Sequence, residues 1–183
     1  YIYEEVLKTL EKWDKQHRRK IVISTNFSGR HFESDGEEFL NRIQHVLSKY
    51  SVRPEYIEIE VTEGVLVKNV ALLEKCMNRL HEIGFRVAID DFGTGYSSLS
   101  VLADMPADVI KIDKSFIKGM TEQKKNLLYE IGRMVKILQK DIIIEGVETE
   151  EQEQFLKEGG FTCGQGYLCN CPVPIGDFEK MYL

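Results

Sequence analysis

Arg86-Val-Ala-Ile-Asp-Asp-Phe-Gly-Thr-Gly-Tyr-Ser-Ser98 and Asp108-Val-Ile-Lys-Ile-Asp113 decide how this 183-residue chain is read. Each opens on a short β-branched run that is apolar through its middle and ends on ionisable groups: Asp90 and Asp91 in one, Lys111 and Asp113 in the other. The same form recurs in Ile21-Val-Ile-Ser-Thr25, followed by Asn26, in Tyr56-Ile-Glu-Ile-Glu-Val61 and in Asp141-Ile-Ile-Ile-Glu145. A weaker sixth candidate lies near Phe161 to Leu168. Side chains alternate faces along a strand. Glu58 therefore shares a face with Glu60, Arg86 with Asp90, Lys111 with Asp113, and Asp141 with Glu145. The alternate positions Ile57, Ile59, Val87, Ile89, Ile110, Ile112, Ile142 and Ile144 look the other way, toward covering helices. A doubly wound sheet carries helices on both faces, so its central strands read apolar on both. One apolar face and one face of convergent charge suit the C-terminal rim of a (β/α) barrel, which is the predicted architecture.

Between the strands, apolar residues recur every three or four positions, the period of a helix. Leu127, Leu128, Ile131, Met134, Val135 and Leu138 make one stripe. Ala71, Leu72, Cys76, Leu80 and Ile83 make a second, closed by Gly84 as a C-cap, and Phe39, Ile43, Val46 and Leu47 make a third. Thr149-Glu-Glu-Gln152 reads as a helix start ahead of Phe155 and Leu156. Alternating strands and helices give an α/β class with a parallel sheet. A complete (β/α)8 barrel takes eight strands and typically about 250 residues. The six strands found here predict a single domain over residues 1–183 that lacks the first strands, which would precede Tyr1 in a longer parent or come from another chain.

Composition narrows the function classes. Hydrophobic residues at 43% and charged residues at 30% are ordinary for a globular domain. A net charge of −6 disfavours wrapping a nucleic-acid polymer, which needs clustered cations. The basic run Lys15-Gln-His-Arg-Arg-Lys20 reads as a solvated helix end. No apolar stretch approaches the ~20 residues of a membrane span, and no signal-peptide pattern opens the chain, so a soluble cytoplasmic domain without membrane contact is expected. Cys163-x5-Cys169-x-Cys171 lacks the paired spacing of zinc sites; with Cys76, these are expected to be reduced and mostly buried thiols. His17, His31, His45 and His81 read as structural.

The polar strand ends bring one amide (Asn26), four acids (Glu60, Asp90, Asp91, Glu145) and one lysine (Lys111) toward one rim. Carboxylates crowded together repel, and such a cluster normally needs cations. Oxygen-only ligands point to hard divalent ions, Mg²⁺ or Mn²⁺, rather than zinc. Two such ions suit in-line displacement at phosphorus. A lysine beside them can orient or deprotonate the attacking water. The two alternate glycines after Asp91 make a tight loop whose backbone can approach a phosphate or a metal shell.

Asn26-Phe-Ser28, Glu60-Val-Thr-Glu63, Asp90-Asp-Phe-Gly-Thr-Gly-Tyr-Ser-Ser98, Lys111-Ile-Asp113, Glu145-Gly-Val-Glu-Thr149 and Gln165-Gly-Tyr167 occur in the order and approximate spacing of the EAL domain family. The chain resembles that family over essentially its whole length. The resemblance implies a TIM-like barrel of the EAL type and metal-dependent hydrolysis of cyclic di-GMP to linear pGpG. It implies Asn26, Glu60, Asp90 and Glu145 as ligands of one ion, with Asp91 bridging to or holding the second. It further implies Lys111 in contact with the attacking water, Gln165 supporting that water, and Glu63 tethering the loop that in the family links the metal site to the dimer interface. Asp91, Gly93 and Asp113 are expected against the substrate. A homodimer through the loop and helix after Asp91 and an attached GGDEF or sensory domain are the partners implied, in a parent that is free or membrane-tethered.

The departures matter as much. The Glu-Ala-Leu strand that names the family, and the arginine near it, are absent from this sequence. Gly64, Ile144 and Cys169-Asn170 stand where a serine, a small residue and an aromatic-serine pair are usual, and the interval from Lys111 to Glu145 is slightly short, a difference expected in a surface loop near Thr121 to Asn126. An isolated chain of this kind is expected to be slow or inactive. The alternative is a non-catalytic EAL-like module that binds cyclic di-GMP or a protein partner.

Overall fold

Among the described residues six parallel strands pair in chain order into one sheet: β1 (Ile23–Phe27), β2 (Ile57–Thr62), β3 (Arg86–Phe92), β4 (Val109–Ile112), β5 (Asp141–Glu145) and β6 (Gly164–Gln165). The computed structural model describes residues 1–29, 36–66, 69–95 and 98–183. Around the strands lie α1 (Ile2–Lys15), α2 (Glu37–Leu47), α3 (Glu63–Leu66), α4 (Val70–Ile83), α5 (Leu99–Asp104), α6 (Glu122–Ile137), α7 (Glu150–Glu158) and α8 (Ile175–Tyr182). Parallel strands need a crossover between each pair, and the helices supply it. Ile57, Ile59, Val87, Ile89, Ile110, Ile112, Ile142 and Ile144 are all buried under those helices, as their alternation predicts.

The sheet is curled. Residues of both edge strands, Ile23 and Ser24 of β1 and Gln165 of β6, line one cavity with Trp13 and Phe178. In a flat sheet five strand spacings would hold those edges about 24 Å apart. The result is a half-barrel, with helices outside and polar residues inside. Within it α8 docks on α1. The Trp13 and Phe178 rings stack at 5.9 Å, and Trp13 Nε1 and Lys12 Nζ both donate to Glu179 Oε1 at 2.7 Å.

Several local expectations shift. β1 spans Ile23–Phe27 rather than Ile21–Thr25, because its register against β2 (Ile23 with Ile57, Asn26 with Glu60) sets its limits. Asn26 thus lies inside the strand. On α4 the buried stripe is Leu73, Cys76, Met77 and Leu80, while Ala71 is exposed. Leu127 on α6 is 52% exposed, one helical step away from buried Leu128. Gly84 closes α4 at φ 105°, and Thr149 and Gln152 form the reciprocal cap of α7, both as expected. Thr121 to Asn126 is not a surface loop: Thr121 caps α6, and the rest is its first turn. Of the four cysteines only Cys76 is buried; Cys163, Cys169 and Cys171 flank the short edge strand β6 and are exposed. His81 Nε2 lies 2.9 Å from Asp108 Oδ2, His17 and His45 are exposed, and His31 lies outside the described residues. No helix among the described residues is long and apolar enough to cross a membrane.

Candidate active site

The inward face of the half-barrel carries two polar levels. At the N-terminal ends of the strands, Ser24 Oγ donates to Glu58 Oε1 at 2.9 Å, and Arg86 reaches Glu58 at 3.4 Å and Asp141 at 2.9 Å. This lower network closes the barrel floor. The alternation of β2, β3 and β5 makes it legible in the sequence, although the motifs point only to the opposite ends of those strands.

The upper level gathers the predicted site. Lys111, in the middle of β4, points its ammonium at three carboxylates: Glu145 Oε1 at 2.8 Å, Glu60 Oε1 at 2.9 Å and Asp90 Oδ1 at 3.0 Å. The Lys111 side chain is 5% exposed. Burial alone would push its pKa down; the close carboxylates of Glu145, Glu60 and Asp90 outweigh that and hold it above the ordinary lysine range. Glu60 shows the converse balance: burial, with the nearby charges of Asp90 and Glu58, raises its pKa against the lowering by Lys111.

Asp91 reaches the same place by an irregularity. Consecutive residues of a regular strand face opposite sides. Between Ile89 and Phe92 the β3–β4 register shifts, and Asp91 takes φ 55°. That bulge turns its carboxylate back, so ligand oxygens of Asp90, Asp91 and Glu145 all lie within 4.8 Å of one another. Burial and then the charge of Asp90 raise the Asp91 pKa.

Glu63, 2% exposed at the start of α3, fixes the next turn. Its Oε2 accepts from the backbone N–H groups of Gly93 and Gly95, both at 2.8 Å. Gly93 has φ 96°, and a Cβ there would lie 2.2 Å from the Phe116 ring, so only glycine fits. Tyr96 and Ser97 of this loop lie outside the described residues. Asn26 sits beside Glu60 across β1–β2, and Gln165 beside Glu145 across β5–β6; both are exposed on the open side. Asp113 also serves the backbone. Its Oδ1 accepts from Ser115 N–H at 2.9 Å and caps the turn Lys114–Phe116. Gly64 has open space where a Cβ would stand, whereas Ile144 is fully buried in the core.

Four carboxylates face one ammonium here. Asp90 Oδ1 is buried and, although 3.0 Å from Lys111 Nζ, has no partner in hydrogen-bonding geometry. A buried anionic oxygen without a bonded donor is costly, and a hard cation would satisfy it. The donor set therefore fits Mg²⁺- or Mn²⁺-type ions.

The sequence profile of the EAL domain matches residues 1–172. The chain belongs to the EAL domain family. This EAL domain is 34% identical over 179 residues to the probable cyclic di-GMP phosphodiesterase PdeB of Escherichia coli, covering 98% of this chain and 34% of PdeB. It superposes with a TM-score of 0.88 on the MucR phosphodiesterase of Pseudomonas aeruginosa in complex with c-di-GMP, at 30% identity over 97% of this chain and 72% of that one. It also resembles Klebsiella pneumoniae BlrP1 in a manganese and cyclic di-GMP complex, with TM-score 0.75 and 27% identity over 91% of this chain and 43% of that one. The EAL domain spans about a fifth to a third of the length of the curated relatives it matches.

Proposed function

We propose that this EAL domain carries the hydrolytic centre of a cyclic di-GMP phosphodiesterase and opens the ring to linear pGpG. The observation that carries the reading is the meeting of Glu60, Asp90, Asp91, Glu145 and Lys111 at the C-terminal ends of four neighbouring strands. Asp90, Asp91 and Glu145, with Glu60 and Asn26 beside them, would hold one or two Mg²⁺ or Mn²⁺ ions, which when bound activate water and offset phosphate charge. Lys111 would orient that water or steady charge on the equatorial oxygens, with Gln165 supporting it from β6. Glu63 positions the loop that carries Asp91 and Gly93, and so sets where the substrate phosphate can rest. Asp113, whose Oδ1 also caps the turn Lys114–Phe116, would lie against the substrate.

A homodimer through the segment after Asp91 is supported by α5, whose Leu99 is 61% exposed. An attached GGDEF or sensory domain accords with the greater length of the relatives, and a cytoplasmic setting accords with the substrate. One observation favours a slow isolated chain: Asn26 lies on the outer strand β1, exposed to the open side. An open rim admits water and loosens preorganisation.

The test is incubation of the chain, and of its full-length parent, with cyclic di-GMP and Mn²⁺, with pGpG separated by chromatography. Activity of the parent that disappears in Glu60→Ala and Asp90→Asn supports the reading. Binding of cyclic di-GMP without pGpG would make the protein a receptor module instead.

A further inference from the structure

The basic run after α1 has a cavity to serve. Arg18, Arg19 and Lys20, joined by Arg53 from the segment ahead of β2, line one recess of about 140 Å³. Its apolar part is Leu10 and Trp13 of α1 with Ile21, Val52 and Tyr56. The recess lies at the N-terminal ends of β1 and β2, since Ile21 and Tyr56 stand just ahead of those strands. From Tyr56 to Glu60 of the mouth is four residues along β2, about 13 Å at 3.3 Å per residue. The two places are separate.

Four cations and one acid, Asp14, line the recess in a chain whose net charge is −6. Offsetting the C-terminus of α1 does not account for them. A helix dipole amounts to about half a negative charge there, and Lys12 and Lys15 already stand in the last turn. The cations are also loosely held. Lys20 Nζ lies 3.4 Å from Asp14 Oδ1 and Arg53 Nη1 3.1 Å from Glu55 Oε1, with all four side chains at least half exposed. Exposed pairs of this kind contribute little. Arg18 and Arg19 have no side-chain hydrogen bond or ion pair among the described residues. Lys20 Nζ is 5.5 Å and Arg53 Cζ 4.8 Å from the centre of the Tyr56 ring, which keeps these two like charges within about 10 Å of each other. An anion between them relieves their repulsion.

We propose that this recess binds a small phosphorylated aromatic molecule of the nucleotide class, its ring against the apolar part and its phosphates among Arg18, Arg19, Lys20 and Arg53. Four cations around one small recess call for several negative charges in a small volume. A carboxylate brings one, a phosphate group about two. The planar guanidinium fork matches phosphate oxygens and also stacks on rings. The cavity is smaller than the ~300–1,000 Å³ of a site that encloses a whole small ligand. It therefore takes one ring and leaves the charged part at the rim. An extended acidic peptide fits less well, because the cations surround a single recess rather than a groove. The site stands apart from the metal-site reading, and neither depends on the other.

The test is calorimetric titration of the chain with ADP, inorganic pyrophosphate and adenosine in chelator, so that no divalent ion bridges phosphate to the acidic mouth. Trp13, the only tryptophan, lines the recess and follows the same titration by fluorescence. ADP should shift the Trp13 emission and bind at least tenfold more tightly than pyrophosphate or adenosine. Arg18→Met combined with Arg53→Met should weaken ADP tenfold or more, since charge-assisted hydrogen bonds are lost. Both side chains are exposed, so the fold should survive, with an unchanged melt as the check. Arg53→Lys keeps the charge without the fork and should fall between the double variant and the unaltered chain. Pyrophosphate binding within threefold of ADP would make this a bare phosphate site and overturn the nucleotide assignment. ADP binding that the double variant and Arg53→Lys leave unchanged would place the ligand elsewhere and overturn the site. Lack of ADP binding at millimolar concentration would overturn the proposal and leave the hydrolytic centre untouched.

Discussion

Replacing Glu63 with alanine removes the acceptor of two backbone N–H groups, Gly93 and Gly95, each at 2.8 Å. A hydrogen bond to a charged group contributes roughly 1.5–3 kcal/mol net. Gly93 and Gly95 are exposed, so water takes up the freed amides and the two contributions do not add in full. We therefore expect the loop after β3 to open more easily by about 2–4 kcal/mol, which at 1.36 kcal/mol per decade is a roughly 30- to 1,000-fold rise in amide exchange. The effect should stay local, because the buried outer faces of β2 and β3 are untouched. Global melting should fall by only about 2–4 °C for each kcal/mol that reaches the whole fold. Hydrogen exchange read by mass spectrometry over peptides spanning residues 90–99, beside a thermal melt, separates the two. Because Asp91 begins this loop, Mn²⁺ affinity should weaken as well, and Glu63→Gln, which keeps one acceptor, should fall between parent and alanine variant. Exchange in that peptide within threefold of the parent would refute the tether, as would acceleration spread evenly over all strands.

Other expectations follow from the floor, the docked helix and a close approach. Arg86→Met strips Glu58 of its cation and leaves a buried carboxylate held by Ser24 alone; urea unfolding should show a loss of about 1–3 kcal/mol, partly restored by Glu58→Gln. The Glu179 pKa is lowered by its hydrogen bonds from Lys12 and Trp13, so docking of α8 is fully supported above the ordinary carboxylate value of 4.5 and lost as pH falls through the lowered value. Trp13 is the only tryptophan, and its fluorescence should report that acid transition in the parent and not in Glu179→Gln. In Gly166→Ala the added Cβ would lie 2.1 Å from the Val147 carbonyl oxygen, a backbone atom that cannot rotate aside. β6 should therefore shift, with a stability cost of about 1–3 kcal/mol by chemical denaturation.

Alternation along five short strands was enough to state the class, the face turned to helices and the face that gathers charge. Period located α4 and α6, and the Thr-x-x-Gln spacing located the Thr149 cap, since these features are local to a few residues. What the chain of letters left open is whatever depends on partners distant in sequence. The register of β1 against β2 placed Asn26 inside a strand next to Glu60. The bulge at Asp91 turned two consecutive acids to one side, which strict alternation denies. The lower network of Ser24, Glu58, Arg86 and Asp141 shares its face with the site, and only the strand ends tell floor from mouth. By itself the sequence determined which residues carry charge and, Asp91 excepted, on which face of each strand they stand. Only the tertiary structure decided that one ammonium meets three carboxylates, because strand order and curl, not neighbourhood along the chain, set the distances over which charges act.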